Sequence, residues 1–417
     1  MASSIVGQAS CRNETRCEEL TQSILGRILD TDSHEMHPAR VWTREYGEEF
    51  EPIAKFFLET QAEQVANSFS VPVYEDDAPI SANTINDYWT TGCGAPGAFD
   101  MDRRLDVLDL TGIDRSLIFG SVMAVIGTQF ASDGGQFLKR RQGSMPFEDP
   151  FDYGVSMVRA HNDWCIRVAT KSPRLRPVAA ILTRTLEEAI AETKRVVAGG
   201  VRAVTLPSGT PIGGKAPAHP DNDELWHFLA DNDIPALLHI GSETGFLREA
   251  SGWANAPQFA PNNSVPTEVP TDPFSIATCS LSAQTYVTNL VLGAVFERVP
   301  NLRFGIVEFG AQWVGATATN MDMWASQFKR RLSGVLSMKP SEYFARNIRV
   351  AAFSFEPVDL YFDRYPEVGD VFCFSSDYPH FEGGKDPVNV TAERLARHGE
   401  IIFEKFYVTN PELILPA

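Results

Sequence analysis

Eight short β-rich runs recur along this chain, and most are followed by a helical pattern and a turn signal. In order they are "RILDTDSH", "DRSLIFGS", "LRPVAAIL", "VRAVTLPSG", "DIPALLHIG", "LRFGIVEFG", "NIRVAAFSF" and "VFCFSSDYPH". Among the intervening helices, "TLEEAIAETKRVVAGG" ends on two glycines that stop it, and "DNDELWHFLADN" offers Asp221 as its N-terminal cap. Strands that alternate with helices need right-handed crossovers and a parallel sheet, and eight such units close naturally into a barrel. The expected fold class is therefore α/β, a (β/α)8 TIM barrel in a single domain over residues 26–417, with a polar, flexible N-terminal extension over residues 1–25. A length of 417 residues does not argue for division, because barrels run well past average domain length as one unit.

Three stretches interrupt the repeat, at about 43–99, 129–153 and 241–272. Loops of that length in a compact domain are usually lids or binding loops. These carry Trp89, Phe137, Phe147, Phe246, Trp253 and Phe259, so a covered, fairly apolar pocket is expected, with Trp89, Phe246 and Trp253 among its walls. A formal net charge of −18 without a recognisable basic patch disfavours nucleic acid and membrane as partners. No apolar run approaches the roughly 18 to 20 residues of a membrane span, and "MASSIVGQASCRNETRCEEL" lacks the apolar core of a signal peptide, so a cytoplasmic location is expected. The six cysteines show no C-x-x-C spacing and read as reduced thiols. The partner that remains is a small molecule, and the sequence is compatible with a homodimer.

Chemistry in such a barrel sits at the C-terminal ends of the strands. There the first run carries Asp32 and His34, the fifth His239, the sixth Glu308, and the eighth Asp377 followed by His380. A lone histidine in such a place is more often a satisfied core residue, but five ligand-type groups at one end of one barrel point to a divalent metal. Alternate residues of a strand face the same way, so Asp32 and His34 can both aim at one ion. Imidazole with carboxylate suits zinc, iron or manganese, and three carboxylates against two histidines shift the balance towards iron or manganese. Five groups exceed what one catalytic ion with an open position needs, so either Glu308 is free as acid or base or it helps to hold a second ion. His37 is a further candidate as ligand, proton shuttle or pocket residue, and His380 as a group over the substrate. The other histidines read as structural, with His161 in "RAHNDW" the first exception to consider.

The segments "DSHEMHPARVW", "IPALLHIG", "VFERVPNLRFGIVEFGAQWV" and "FSSDYPHFEGG" resemble the successive hallmarks of the metal-dependent amidohydrolase superfamily. The resemblance runs from Arg27 to the end, and its nearest branch is the amidohydrolase-2 group, which includes aminocarboxymuconate-semialdehyde decarboxylase, resorcylate-type decarboxylases and uncharacterised hydrolases. It implies that Asp32, His34, His239 and Asp377 are the metal ligands. Two departures stand out. The first strand reads D-x-H where decarboxylases usually have H-x-H or E-x-H, and Glu308 stands where their sixth strand ends in a histidine that works as acid or base. Strand four, "AVTLPSG", offers no metal-bridging Lys or carboxylate.

Two reactions fit these residues. In hydrolysis a metal-activated water attacks an amide, ester or thioester with an apolar acyl part, and Glu308, Asp377 and His380 are the catalytic candidates. In nonoxidative decarboxylation of an aromatic or enoic acid, the acid that protonates carbon is the missing histidine. That absence favours hydrolysis on sequence grounds. A metal-free binding protein on a decayed barrel is a third reading, which retention of every ligand position opposes.

Overall fold

The computed structural model describes residues 15–60, 79–88, 92–133, 149–243, 246, 253, 256–259, 272–380 and 383–417. Nine strands lie along it: β1 (Ile28–Glu35), β2 (Ile113–Gly120), β3 (Leu175–Pro177), β4 (Ala179–Ala180), β5 (Val204–Thr205), β6 (Ala236–His239), β7 (Phe304–Val307), β8 (Ile348–Ala352) and β9 (Phe372–Phe374). Every neighbouring pair is parallel, in the orders β1-β2-β3 and β4 through β9.

Two junctions turn these sheets into a barrel of eight staves. β3 and β4 are one stave interrupted at Val178, directly after Pro177, which has no N–H for the ladder. Across the break, Val178 N–H still bonds to Ile118 O at 2.9 Å, and Ala179 N–H to Ala203 O at 3.2 Å. The other junction joins β1 to the chain just past β9. A parallel bridge pairs Ser33 with Tyr378, Asp377 N–H donates to Asp32 O at 2.8 Å, and His34 N–H donates to Tyr378 O at 2.7 Å. The eight runs read from the sequence are these eight staves.

A separate apolar cluster takes Leu29, Leu117, Val178, Leu237, Val307 and Ala351 from successive staves and packs them with Ile414 and Leu415 of the closing segment. This filling makes the barrel a packed core rather than a pore, and it leaves the opposite mouth for polar groups. The larger core lies between staves and helices, where Trp226, Phe296, Phe304 and Phe344 are at most 2% exposed.

Two local expectations are corrected. Residues 15–24 of the supposed flexible extension form a helix, and Ile24 is only 1% exposed because it docks on the core. Asp221 does not cap a helix through its side chain. The chain enters by a 3-10 turn over Pro220–Asn222, His219 Nδ1 accepts the Asp221 N–H at 3.2 Å, and the Asp221 carboxylate pairs with Lys215. No helix among the described residues is long and apolar enough to cross a membrane.

The long helix Pro150–Ala169 crosses the helix Gly127–Asp133 at a point where both present glycine. A Cβ on Gly154 would lie 2.2 Å from Gly127 O, so the backbones themselves must part to admit one. Gly154→Ala is expected to lower stability by about 1–3 kcal/mol, the scale of overpacking, despite the better helix propensity of alanine. Denaturant unfolding measures it, and an unchanged midpoint would refute the close crossing.

Candidate metal centre

All eight residues of β1 are buried, although four of them, Asp30, Asp32, His34 and Glu35, carry acid or imidazole side chains. Burying such groups is costly unless each finds a partner. Asp32 and His34 share the side of the strand that faces the mouth, and His239 reaches it from the end of β6. Glu308 and Asp377 follow β7 and β9 in the left-handed backbone region, with φ of 59° and 53°. Non-glycine residues rarely adopt that conformation, and where they do the strain commonly marks a functional site.

The loop that carries Glu308 is fixed from outside. Glu356, buried after β8, accepts hydrogen bonds from Ala311 N–H at 3.0 Å, Phe353 N–H at 2.9 Å and Tyr361 Oη at 2.9 Å. On the other loop, His380 N–H bonds to Asp377 O at 2.7 Å and returns the imidazole over the centre. The His380 ring stacks on His34 with centroids 3.6 Å apart.

These side chains converge. His34 Nε2 lies 3.3 Å from Asp32 Oδ1, 3.3 Å from Asp377 Oδ1 and 3.9 Å from Glu308 Oε2. His239 Nε2 lies 3.1 Å from Glu308 Oε2 and 3.6 Å from Asp32 Oδ1, and His380 Nδ1 lies 3.2 Å from Asp377 Oδ1. Two overlapping donor groups result: Asp32, His34, His239 and Glu308, and His34, Glu308, Asp377 and His380. Burial alone would raise the Asp377 carboxyl, but His380 and His34 override it and hold Asp377 below the ordinary carboxylate range.

The donor atoms fit a metal ion. Asp32 Oδ1, His34 Nε2, His239 Nε2 and both Asp377 oxygens are buried with no hydrogen-bond partner among the described atoms. His239 Nδ1 donates to Ile240 O at 2.9 Å, which leaves Nε2 as a lone-pair donor facing the cluster. Atoms about 2.1 Å from a shared ion lie about 3.0 Å apart in an octahedron and about 3.4 Å apart in a tetrahedron, close to the spacings seen here.

The family profile described as "Amidohydrolase" matches residues 148–416, more than half of the chain. The chain belongs to the amidohydrolase family. A search of curated proteins finds no match. Among solved structures, an amidohydrolase from Mycobacterium avium subsp. paratuberculosis K-10 superposes with TM-score 0.66 at 19% identity, covering 93% of this chain and 99% of that one. A 5-carboxyvanillate decarboxylase from Novosphingobium aromaticivorans, complexed with manganese and 4-hydroxy-3-methoxy-5-nitrobenzoic acid, gives TM-score 0.57 at 14% identity over 94% and 96% of the two chains. A dihydroxybenzoic acid decarboxylase from Polaromonas, with manganese and 2-nitroresorcinol, gives 0.54 at 15% over 93% and 96%. At these identities the likeness carries the barrel fold alone.

The remaining candidates fall elsewhere. His37 is 3% exposed but lies off the centre, paired with Glu35, 3.0 Å from Tyr46 Oη and edge-on to Trp164. The reason is strand alternation: Glu35 points away from His34, and His37 joins Glu35. Phe246 is half-buried, Trp253 is 68% exposed, and Phe259 stacks on Phe274 at 5.4 Å. Trp89, Phe137 and Phe147 lie outside the described residues. A narrow apolar cavity does border the centre, lined by Phe119, Ala124, Val125, Val178 and Ile240 with His239 as one wall. Its lining from β2 and the turn Val122–Ile126 was not foreseen, since an apolar strand end carries no signal of its own.

His239→Ala is expected to abolish tight binding of manganese or zinc, and Glu308→Gln to weaken it. Elemental analysis after gel filtration reads both. Full metal in His239→Ala would overturn the assignment.

Proposed function

We propose that this chain is a metal-dependent, nonoxidative carboxy-lyase acting on a small aromatic acid. The observation that carries the reading is His380. Sequence reasoning set decarboxylation second because the sixth stave ends in Glu308 and not in histidine. The eighth stave supplies an imidazole instead, stacked on His34 and 3.2 Å from Asp377. Two similar folds whose structures hold manganese and nitroaromatic ligands are decarboxylases, which supports the same choice.

The ligand set that the family resemblance implies, Asp32, His34, His239 and Asp377, would hold a divalent ion supplying a Lewis acid for the substrate carboxylate and a neighbouring oxygen, with His34 Nε2 3.3 Å from both Asp32 Oδ1 and Asp377 Oδ1. The chain's own residues do the rest. Phe119 and His239, with ring centroids 4.5 Å apart, wall the apolar side and keep water from the ring. His380 carries the proton that bonds to the ring carbon as the carbon–carboxylate bond breaks and carbon dioxide leaves. Asp377 orients that imidazole.

Hydrolysis of an apolar amide, ester or thioester is the second reading, favoured by Glu308 Oε2 lying 3.1 Å from His239 Nε2, where a carboxylate can take a proton from water. The two separate in one assay. Manganese-loaded protein is incubated with a panel of hydroxybenzoic acids and, in parallel, with aryl esters, anilides and acyl thioesters. Carbon dioxide release without acyl cleavage is expected, and His380→Asn should keep its metal while turnover falls by roughly 10² to 10⁴, the scale of losing a general acid. Acyl cleavage without carbon dioxide, or full turnover in His380→Asn, would sink the carboxy-lyase reading.

A further inference from the structure

Arg104, on the helix Met101–Thr111, is 1% exposed, and no carboxylate lies within ion-pair distance of it among the described residues. A buried guanidinium without an acid is uncommon, because its desolvation must be met entirely by hydrogen bonds. Burial pulls it down to about 10, so it remains a cation at neutral pH. Its fork is spent on one place in the fold. Nη2 donates to His34 O at 2.5 Å and Ala98 O at 3.5 Å, Nη1 to Ser33 Oγ at 3.2 Å, and Nε to Gly97 O at 2.8 Å. The guanidinium also lies over the Tyr378 ring, 4.9 Å from its centroid.

That place is the seam where β1 meets the segment past β9. It is closed by the Ser33–Tyr378 bridge together with Thr31 Oγ1 donating to Phe374 O at 2.7 Å and Ser376 N–H donating to Asp30 Oδ1 at 2.8 Å, and it lies between the ligand pair Asp32 and His34 on one side and Asp377 on the other. The segment Gly92–Ala98 is laid along it: Met36 N–H bonds to Ala98 O at 2.8 Å, Gly92 N–H to Pro379 O at 3.2 Å, and Tyr378 Oη to Pro96 O at 2.6 Å. Gly97, with φ of +62°, has no Cβ because one would lie 2.8 Å from the Arg104 backbone.

We propose that Arg104 is a positioning residue that clasps this seam and so sets the spacing of His34 and Asp377 for the metal. Three of its four acceptors are main-chain carbonyls, one of them on a ligand residue, and the fourth is the hydroxyl of the residue before it. A planar five-donor fork reaches all four at once, which an ammonium cannot do. The proposal rests on the metal centre and not on which reaction it serves.

The test compares the parent with Arg104→Lys, which keeps the charge, and Arg104→Met, which removes it. Manganese affinity is read by chelator competition, melting temperature is read with and without manganese, and the visible spectrum is read after loading with cobalt. Arg104→Lys is expected to bind manganese roughly 10- to 100-fold more weakly, the scale for losing a group that orients a ligand. The metal-induced rise in melting temperature should shrink, and the cobalt spectrum should change. Arg104→Met should go further in the same direction, and if it does not fold, Arg104→Lys decides. Unchanged affinity and spectrum in Arg104→Lys would overturn the proposal, as would equal losses of melting temperature with and without metal. A parent that binds neither ion would overturn the metal centre and this proposal together.

Discussion

Asp32, Glu308 and Asp377 are buried around His34 Nε2, at 3.3, 3.9 and 3.3 Å, and the rest of the mouth is arranged around that fact. Like charges so close in a low-dielectric site repel strongly unless a cation or a proton stands among them. His34, His239 and His380 surround the acids, yet Asp32 Oδ1 and both Asp377 oxygens keep no hydrogen-bond partner among the described residues, so the cluster suits a divalent ion. The scaffold holds it by drawing the donors from the ends of four staves, with Glu308 and Asp377 in the left-handed backbone region. The cost of that strain is carried by the packed interior beneath, from Leu29 to Ala351.

β1 serves two environments at once because its side chains alternate. His34 faces the centre. Glu35 faces the helix Pro150–Ala169, where it meets His37 and approaches His161 Nδ1 at 3.9 Å. His161 Nε2 donates to Val178 O at 3.0 Å, and Gly120 has no side chain because a Cβ would lie 2.4 Å from that imidazole. Ser121 links the two faces: its hydroxyl donates to Glu35 O at 2.7 Å and lies 3.4 Å from His380 Nε2. The buried polar groups behind the strand therefore bear on the imidazole in front of it.

The staves and most of the centre were legible in the sequence for one reason: apolar runs that end in an acid or histidine record both strand and mouth. Asp32, His34, His239, Glu308 and Asp377 each follow such a run, and the structure gathers them with His380 into two overlapping groups that share His34 and Glu308. Residues whose role depends on tertiary contact left no such record. Arg104 reads as one charge on an ordinary amphipathic helix, and Glu356 as a loop acid, yet one grips the ligand strand and the other the Glu308 loop. His37, read as ligand, proton shuttle or pocket residue, lies off the centre because strand parity turns it towards Glu35.

The exchange of histidine for Glu308 alters the charge that the centre presents to a substrate. With Glu308 in place of histidine, each of the two overlapping donor groups holds two carboxylates, which balance one divalent ion, and a substrate carboxylate would add a further negative charge. Such a site accepts an acid only if positive charge is added. His380, stacked on His34 and with Nδ1 3.2 Å from Asp377 Oδ1, stands where added positive charge would meet a carboxylate. On the carboxy-lyase reading proposed above, a proton held there would also be the one that the ring carbon needs when carbon dioxide departs. On that reading charge balance and chemistry would place a single demand on one residue, and Glu308, by making the centre more negative, would be what creates it.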